Sequence, residues 1–132
     1  MDTSRVNLLN SLSFALSYHN PNEGKQYAQQ ALKLARQITY PKGEAYALNN
    51  LGVSFFELGD YAKALHFYQK ALPLFKKYNL TGIVFAYNNI GMVAEQRGQV
   101  SKALQLYQKA LQAARRLKSR AEESLCLNNI GV

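Results

Sequence analysis

Residues 49–72 have the sequence NNLGVSFFELGDYAKALHFYQKAL, and residues 88–111 have the closely matching sequence NNIGMVAEQRGQVSKALQLYQKAL. The Asn-Asn-(Leu/Ile)-Gly motif that opens both segments occurs a third time at residues 128–131. The three copies are separated by 39 and 40 residues. A repeat of this length is typical of solenoids, in which each unit packs only against its neighbours. The spacing therefore predicts a repeat architecture.

Each repeat has the periodicity of two helices joined by a turn. Apolar residues and glycine recur at i, i+3, i+4 and i+7 along residues 48–55, which is one face of a helix. A break at residues 58–60 is followed by a second stripe of Tyr, Ala and Leu along residues 61–72. Two helices with a short glycine-containing turn form an antiparallel hairpin. We therefore expect one hairpin per repeat.

The pattern resembles the tetratricopeptide repeat. Residues 41–79 contain the positions typical of that family in the expected order: Leu48, Leu51, Gly52, Phe55, Ala64, Tyr68 and Ala71. The resemblance covers essentially the whole chain. It is greatest to the 40-residue arrays of bacterial multidomain signalling proteins and of kinesin light chain-like adaptors. Lys76 and Arg115 replace the usual closing proline, so the second helix can continue and the period lengthens.

The resemblance implies an all-α solenoid of antiparallel hairpins, wound as a right-handed superhelix. We expect about seven helices, at residues 3–18, 21–38, 42–57, 61–77, 82–97, 100–117 and 120–132. A single array would span residues 1–132, with a degenerate repeat at about 1–40 and repeats at 41–79 and 80–119. Residues 120–132 would be the first helix of a truncated repeat, and the chain would then be a fragment of a longer array.

Gly52 and Gly91 are expected to serve close helix packing. A glycine inside a helix costs about 1 kcal/mol relative to alanine, so packing must offset that cost. The resemblance implies that these glycines face the small residues Ala64 and Ala103 of the partner helix.

The resemblance also places a ligand groove on the concave face, which the first helix of each repeat lines. By position in the repeat, the expected groove residues are Tyr46, Asn49, Asn50, Val53, Phe56, Glu57, Phe85, Asn88, Asn89, Met92, Glu95 and Gln96. In the first repeat they are Leu9, Ser13 and Leu16. An amide side chain both donates and accepts hydrogen bonds, so it can hold a peptide main chain of any sequence. The second Asn of each pair has the alternative role of bonding between helices.

The net charge is +8, and cations recur near the ends of the second helices, at residues 36, 76–77 and 115–116. Cations are favoured there by the helix dipole. This pattern favours a solvated outer face, and the alternative is a basic surface that binds nucleic acid or another polyanion. The sequence contains no recognisable nucleic-acid-binding module, which argues against nucleic acid as the partner.

Nothing in the sequence indicates catalysis or a cofactor. The eight acidic residues are scattered, and no nucleophile–base pair or phosphate-binding glycine loop is present. His19 and His66 lie far apart and have no cluster of other ligands nearby, so no metal site is expected. The single Cys126 excludes an internal disulfide, and no apolar run is long enough to span a membrane.

These observations predict a non-enzymatic scaffold or sensory module that binds a protein or peptide and belongs to a larger bacterial signalling regulator. The compartment is not identified. The cytoplasm is slightly favoured, and the periplasm is compatible with a removed signal. Weak self-association is expected through residues 120–132, on an apolar strip formed by Leu125, Leu127, Ile130 and Val132.

Overall fold

The computed structural model describes residues 2–78, 81–117 and 120–131, and the regular structure in these ranges is entirely helical. The helices are α1 (Thr3–Leu16), α2 (Pro21–Gln37), α3 (Pro41–Glu57), α4 (Tyr61–Lys77), α5 (Gly82–Gln96), α6 (Val100–Arg116) and α7 (Arg120–Ile130). Each end lies within two residues of its expected position. The all-α helical repeat predicted from the spacing is confirmed. None of these helices is both long and apolar enough to cross a membrane.

Local sequence signals begin and end the helices. The side chains of Asn20 and Asp60 accept hydrogen bonds from the main-chain N–H groups of Glu23 and Lys63, which caps α2 and α4. Proline occupies the first helical position of α2 and α3, where it has no hydrogen bond to lose. Gly59 has a φ of 82°, in the left-handed region that glycine adopts without strain after a helix.

The helices form two layers. Consecutive helices pack together, and α1, α3, α5 and α7 also contact one another in order. Within the described residues, α2, α4 and α6 contact only helices of the other set. Because α1, α3, α5 and α7 lie closer together, the stack curves towards them. We call them the inner helices, whose free face is concave, and we call α2, α4 and α6 the outer helices.

A tyrosine ring of the outer helix occupies the space beside the motif glycines Gly52 and Gly91. A Cβ added to Gly91 would lie 2.6 Å from Cε1 of Tyr107, and Gly52 stands in the same relation to Tyr68. The expectation that these glycines face Ala64 and Ala103 is therefore wrong. The tyrosine lies one turn further along the same face of the outer helix, and its flat ring uses the volume that a Cβ would fill.

Ion pairs tie two of the outer helices, α2 and α6, to the inner helices that follow them. The Arg36 Nε atom lies 3.3 Å from a carboxylate oxygen of Glu44, and Arg115 Nε lies 3.0 Å from that of Glu123. Exposed pairs of this kind contribute little to stability, on the order of 0–1 kcal/mol. Their repetition nevertheless shows which cations have a partner within the protein.

Candidate functional site

A cavity of about 470 Å³ opens on the concave face between α1, α3 and α5. We call it the groove, and the residues that line it are Asn7, Asn10, Ser11, Phe14, Lys42, Tyr46, Asn49, Asn50 and Phe85. Three aromatic rings supply its apolar surface, and amide and hydroxyl groups supply its polar surface. Among these lining residues, Lys42 carries the only charge.

Asparagine side chains join the inner helices into a ladder. In three successive steps, an Nδ2 group donates to the preceding inner helix: Asn50 to the Asn10 carbonyl at 3.1 Å, Asn89 to Asn49 Oδ1 at 3.1 Å, and Asn129 to Asn88 Oδ1 at 3.3 Å. An unpaired buried amide costs on the order of 1–3 kcal/mol, so these bonds favour one relative position of neighbouring helices. The second asparagine of each pair therefore bonds between helices.

Asn49 is the member of the ladder with a free donor beside the groove. Its Oδ1 accepts from Asn89, whereas its Nδ2 has no acceptor within residues 2–78, 81–117 and 120–131. Asn88 differs because its Nδ2 lies 3.5 Å from Cys126 Sγ and its Oδ1 accepts from Asn129. An amide donor on a cavity wall is suited to a carbonyl acceptor of a ligand.

Contacts behind the groove hold its walls in place. The Tyr46 ring packs edge-on against Phe75 with centroids 5.0 Å apart, and its hydroxyl shares a hydrogen bond of 3.3 Å with Thr81. The Tyr40 hydroxyl donates to Asn7 Oδ1 at 3.0 Å. Because these side chains are already fixed, a ligand need not order them, and less conformational entropy is lost on binding.

Four of the twelve residues expected in the groove from repeats two and three line it: Tyr46, Asn49, Asn50 and Phe85. The other eight lie on α3 and α5 outside this cavity. Val53 and Asn88 are buried between helices, and Asn89 and Phe56 are half-buried. The remaining four are exposed: Glu57, Met92, Glu95 and Gln96. Glu95 also accepts a hydrogen bond of 2.6 Å from the Tyr107 hydroxyl.

In the first repeat, the residues expected in the groove do not line it, and the residues one position later, Asn10 and Phe14, do. Leu9 is buried in a cluster with Ala31 and Ala47, and Ser13 is fully buried, with its hydroxyl donating to the Gly24 carbonyl at 2.7 Å. Leu16 is half-buried and does not line the groove. Ser13 stands where the later repeats have glycine, so the residue that anchors the repeat alignment is missing there.

The first-repeat residues that do line the groove lie one 39-residue period before residues expected in the second repeat. Asn7 and Asn10 line the groove, and they precede Tyr46 and Asn49 by 39 residues. The same spacing relates Phe14 to Val53. Extending the 39-residue period back from the motif would have identified all three. Ser11 and Lys42 also line the groove without having been expected, and in this sequence alone neither carries a distinguishing signal.

The described part of the chain holds no group of three or more His, Cys, Asp or Glu side chains arranged to bind a metal ion. Cys126 is a free, buried thiol, and burial raises its pKa above the ordinary value.

A stack of helical hairpins with a preformed concave groove defines the class of helical-repeat scaffold proteins. A family model described as tetratricopeptide repeat matches residues 7–77, and a second model of the same description matches residues 84–117. The chain belongs to the tetratricopeptide repeat family. A comparison with curated proteins finds no significant match.

Solved structures share the fold at low sequence identity. The tetratricopeptide repeat domain of Arabidopsis FLU is 22% identical, with 90% of this chain and 99% of that chain covered and a TM-score of 0.75. A Rap protein complexed with competence and sporulation factor is 22% identical, with 94% of this chain and 35% of that chain covered and a TM-score of 0.83. A STAND signal transduction ATPase with a tetratricopeptide repeat sensor, from Pyrococcus horikoshii, is 22% identical. The match covers 85% of this chain and 18% of that chain, with a TM-score of 0.74.

Proposed function

We propose that this protein binds an extended peptide segment of a partner protein in the groove. The observation that carries the proposal is the Asn49 Nδ2 group, which has no acceptor among the described residues and lies on the wall of a cavity that Phe14 and Phe85 also line. A main-chain carbonyl of the peptide accepts from Asn49, and an apolar side chain packs against the rings. Because the polar contact is to the main chain, it tolerates many peptide sequences.

The groove sets the size and charge of the preferred ligand. Its volume of about 470 Å³ lies within the range of about 300–1,000 Å³ typical of ligand sites. Burying one large apolar side chain contributes roughly 1.5–3 kcal/mol. Lys42 is the charged lining residue, so an acidic group at that end of the peptide is favoured. The preferred ligand is a peptide with an aromatic or large aliphatic side chain and an acidic neighbour.

The proposed biological role is that of a scaffold or sensory module within a larger signalling regulator. Support comes from the solved structures, in which a similar array occupies about a third of a Rap protein and less than a fifth of a STAND ATPase. Sequencing the coding region beyond Val132 tests this part. A kinase, cyclase or DNA-binding domain there supports it, and a stop codon immediately after Val132 contradicts it.

Selection from a displayed random-peptide library, followed by titration of the enriched peptides, tests the groove. Phe14→Ala removes an exposed ring without opening the core, and Asn49→Asp removes the donor while keeping an oxygen for Asn89. We expect either change to weaken binding about tenfold, which corresponds to about 1.4 kcal/mol. Lys42→Gln should weaken the binding of only those peptides that contain an acidic residue.

Leu8→Ala is the matched control for Phe14→Ala. Leu8 lies on the same helix and is similarly exposed, at 59% against 54% for Phe14, but does not line the groove. Enriched peptides should bind this variant as they bind the wild type. If Phe14→Ala and Asn49→Asp both leave their affinity unchanged, the groove is not the binding site.

A further inference from the structure

The positive charge of the chain is concentrated in the outer layer. The outer helices contain eleven Lys and Arg residues and a single acidic residue, Glu23. The inner helices contain three basic and five acidic residues. The outer helices thus carry a net charge of +10 and the inner helices one of −2, so the net positive charge of the protein lies on the side away from the groove.

A repeated ion pair is missing from the middle of this layer. Arg36 and Arg115 occupy equivalent positions on α2 and α6, and each pairs with a glutamate at the start of the following inner helix. Lys76 is the equivalent residue on α4. The position of its glutamate partner is taken by Ile83, which is only 3% exposed. Within the described residues, Lys76 has no acidic partner.

Other cations gather at this same position. Two adjoining cavities, of about 260 and 540 Å³, share Tyr87 and Arg116 in their lining. We call them together the outer furrow, which is lined by Lys76, Ile83, Tyr87, Lys109, Gln112, Ala113 and Arg116. It lies between α4 and α6, which do not contact each other over their described lengths, and Tyr87 of α5 lies between them.

The Tyr87 ring links the cations of the two helices. The ammonium nitrogens of Lys76 and Lys109 lie 5.4 and 6.0 Å from the centre of this ring. No carboxylate is among the residues that line either cavity in the described part of the chain. Lys76, Lys109 and Arg116 line the same furrow, and their like charges repel one another, so an anion that enters the furrow relieves that repulsion.

We propose that the outer furrow binds a phosphate group carried by a protein segment. A phosphate monoester carries a charge of about −1.5 to −2 near neutral pH and three strong acceptor oxygens. It thereby neutralises more of the positive charge of the three cations than a single carboxylate does. Arg116 provides a planar pair of donors, and Lys76 and Lys109 provide ammonium donors. The adjoining cavity has room for residues next to the phosphorylated one.

The geometry favours a flexible chain over a nucleic acid duplex. The cations converge on a depression between two helices, which a side chain enters from above. A duplex is a wide rod that would rest on the ridges of the outer helices and contact their exposed lysines along the whole layer. A duplex would therefore not distinguish the furrow from the rest of the outer layer.

Titrations followed by the NMR signals of backbone amides test the proposal at constant ionic strength. The probes are inorganic phosphate, a glycine-flanked phosphoserine pentapeptide and its unphosphorylated form. We expect saturable shifts confined to residues around Tyr87, Gln112 and Arg116 with both phosphate probes, and none with the unphosphorylated peptide. Tighter binding of the phosphopeptide identifies the phosphate as peptide-borne, and equal or weaker binding identifies free phosphate as the ligand and overturns that part of the proposal.

The previous repeat supplies a matched control. Lys109→Gln with Arg116→Gln should weaken phosphopeptide binding at least about tenfold. Lys70→Gln with Lys77→Gln removes the same charge from the equivalent positions, where Leu48 replaces Tyr87 and Arg36 is ion-paired, and should have little effect. Equal losses in the two double variants, shifts spread along all the outer helices, or preferential binding of a short DNA duplex would each overturn the proposal.

Discussion

At the residue scale, the inner helices are positioned by short polar and small side chains as well as by apolar ones. Each step of the asparagine ladder contributes a hydrogen bond of 3.1–3.3 Å across the inner layer. Gly52 and Gly91 each admit a tyrosine ring from the outer helix of their own repeat. The ladder thus sets the position of neighbouring inner helices relative to one another. The motif glycines set the distance between the inner and outer helix of one repeat. The groove depends on both.

Gly91→Ala should destabilise the protein by about 1–3 kcal/mol, because the new Cβ would overlap the buried Tyr107 ring. This loss should occur although alanine favours a helix over glycine by about 1 kcal/mol. Urea denaturation of both proteins measures the difference. In a Tyr107→Leu background, the same change should cost less. A Gly91→Ala protein as stable as the wild type would refute the close approach.

Replacing two fully buried serines by alanine should change the stability of the protein differently. Ser13 Oγ donates to the Gly24 carbonyl at 2.7 Å, whereas Ser54 Oγ has no partner in the described residues. Ser13→Ala should therefore lose about 1 kcal/mol of unfolding free energy, and Ser54→Ala should be neutral or stabilising. Denaturation curves recorded side by side test this pair. Equal losses for the two variants would contradict the hydrogen-bond assignment.

At the element scale, α7 depends on one neighbouring hairpin for its packing. It contacts α6 and α5, with Cys126 fully buried and Asn88 Nδ2 3.5 Å from its sulfur. Leu125 is exposed, whereas Leu127 and Ile130 are half-buried and pack against the core. Val132, also expected on this apolar strip, lies outside the described residues. Docking of α7 therefore covers part of the strip and leaves Leu125 in contact with solvent.

Cys126 should report the opening of α7. Burial raises its pKa, which lowers the thiolate fraction at a given pH, and burial also blocks access. A thiol reagent should therefore modify it much more slowly than it modifies a small free thiol. Urea concentrations below the global transition should speed the reaction, because a helix with few packing partners opens at a lower free energy than the core. Modification as fast as that of glutathione would show that α7 is not docked.

Self-association through residues 120–132 stays a prediction, and Leu125 is the residue to change. Sedimentation velocity over a range of concentrations should show weak dimers of the wild type. Leu125→Lys should abolish them, because it places a charge on the exposed apolar position. A wild type that is monomeric at high concentration would rule the contact out, and an equally dimeric Leu125→Lys protein would place the interface elsewhere.

The helices were predictable because their signals are local. Periodicity, the caps at Asn20 and Asp60 and the turn glycine Gly59 act within a few residues of one another. The groove was predicted less well because it depends on how helices from different repeats meet. The substitution of Ser13 for glycine concealed the first repeat's alignment. Spacing alone also does not reveal that a tyrosine ring, and not an alanine, rests on Gly91.

At the scale of the whole molecule, the two layers carry different chemistry. The inner layer is close to neutral and contains the groove, with its rings and amides. The outer layer is strongly basic and contains the outer furrow. Since the two sites lie on opposite faces, a peptide in the groove and an anion in the furrow do not compete. Variants of one site should leave the other unaffected.

The central claim is that the concave groove holds the peptide ligand, and the direct test is to locate a selected peptide on the protein surface. NMR cross-saturation from a protonated peptide to the deuterated protein measures which backbone amides lie next to it. The largest effects should occur at residues that line the groove, above all Asn10, Phe14, Tyr46, Asn49 and Phe85. Effects concentrated on α2, α4 and α6, with none at these five residues, would contradict the account.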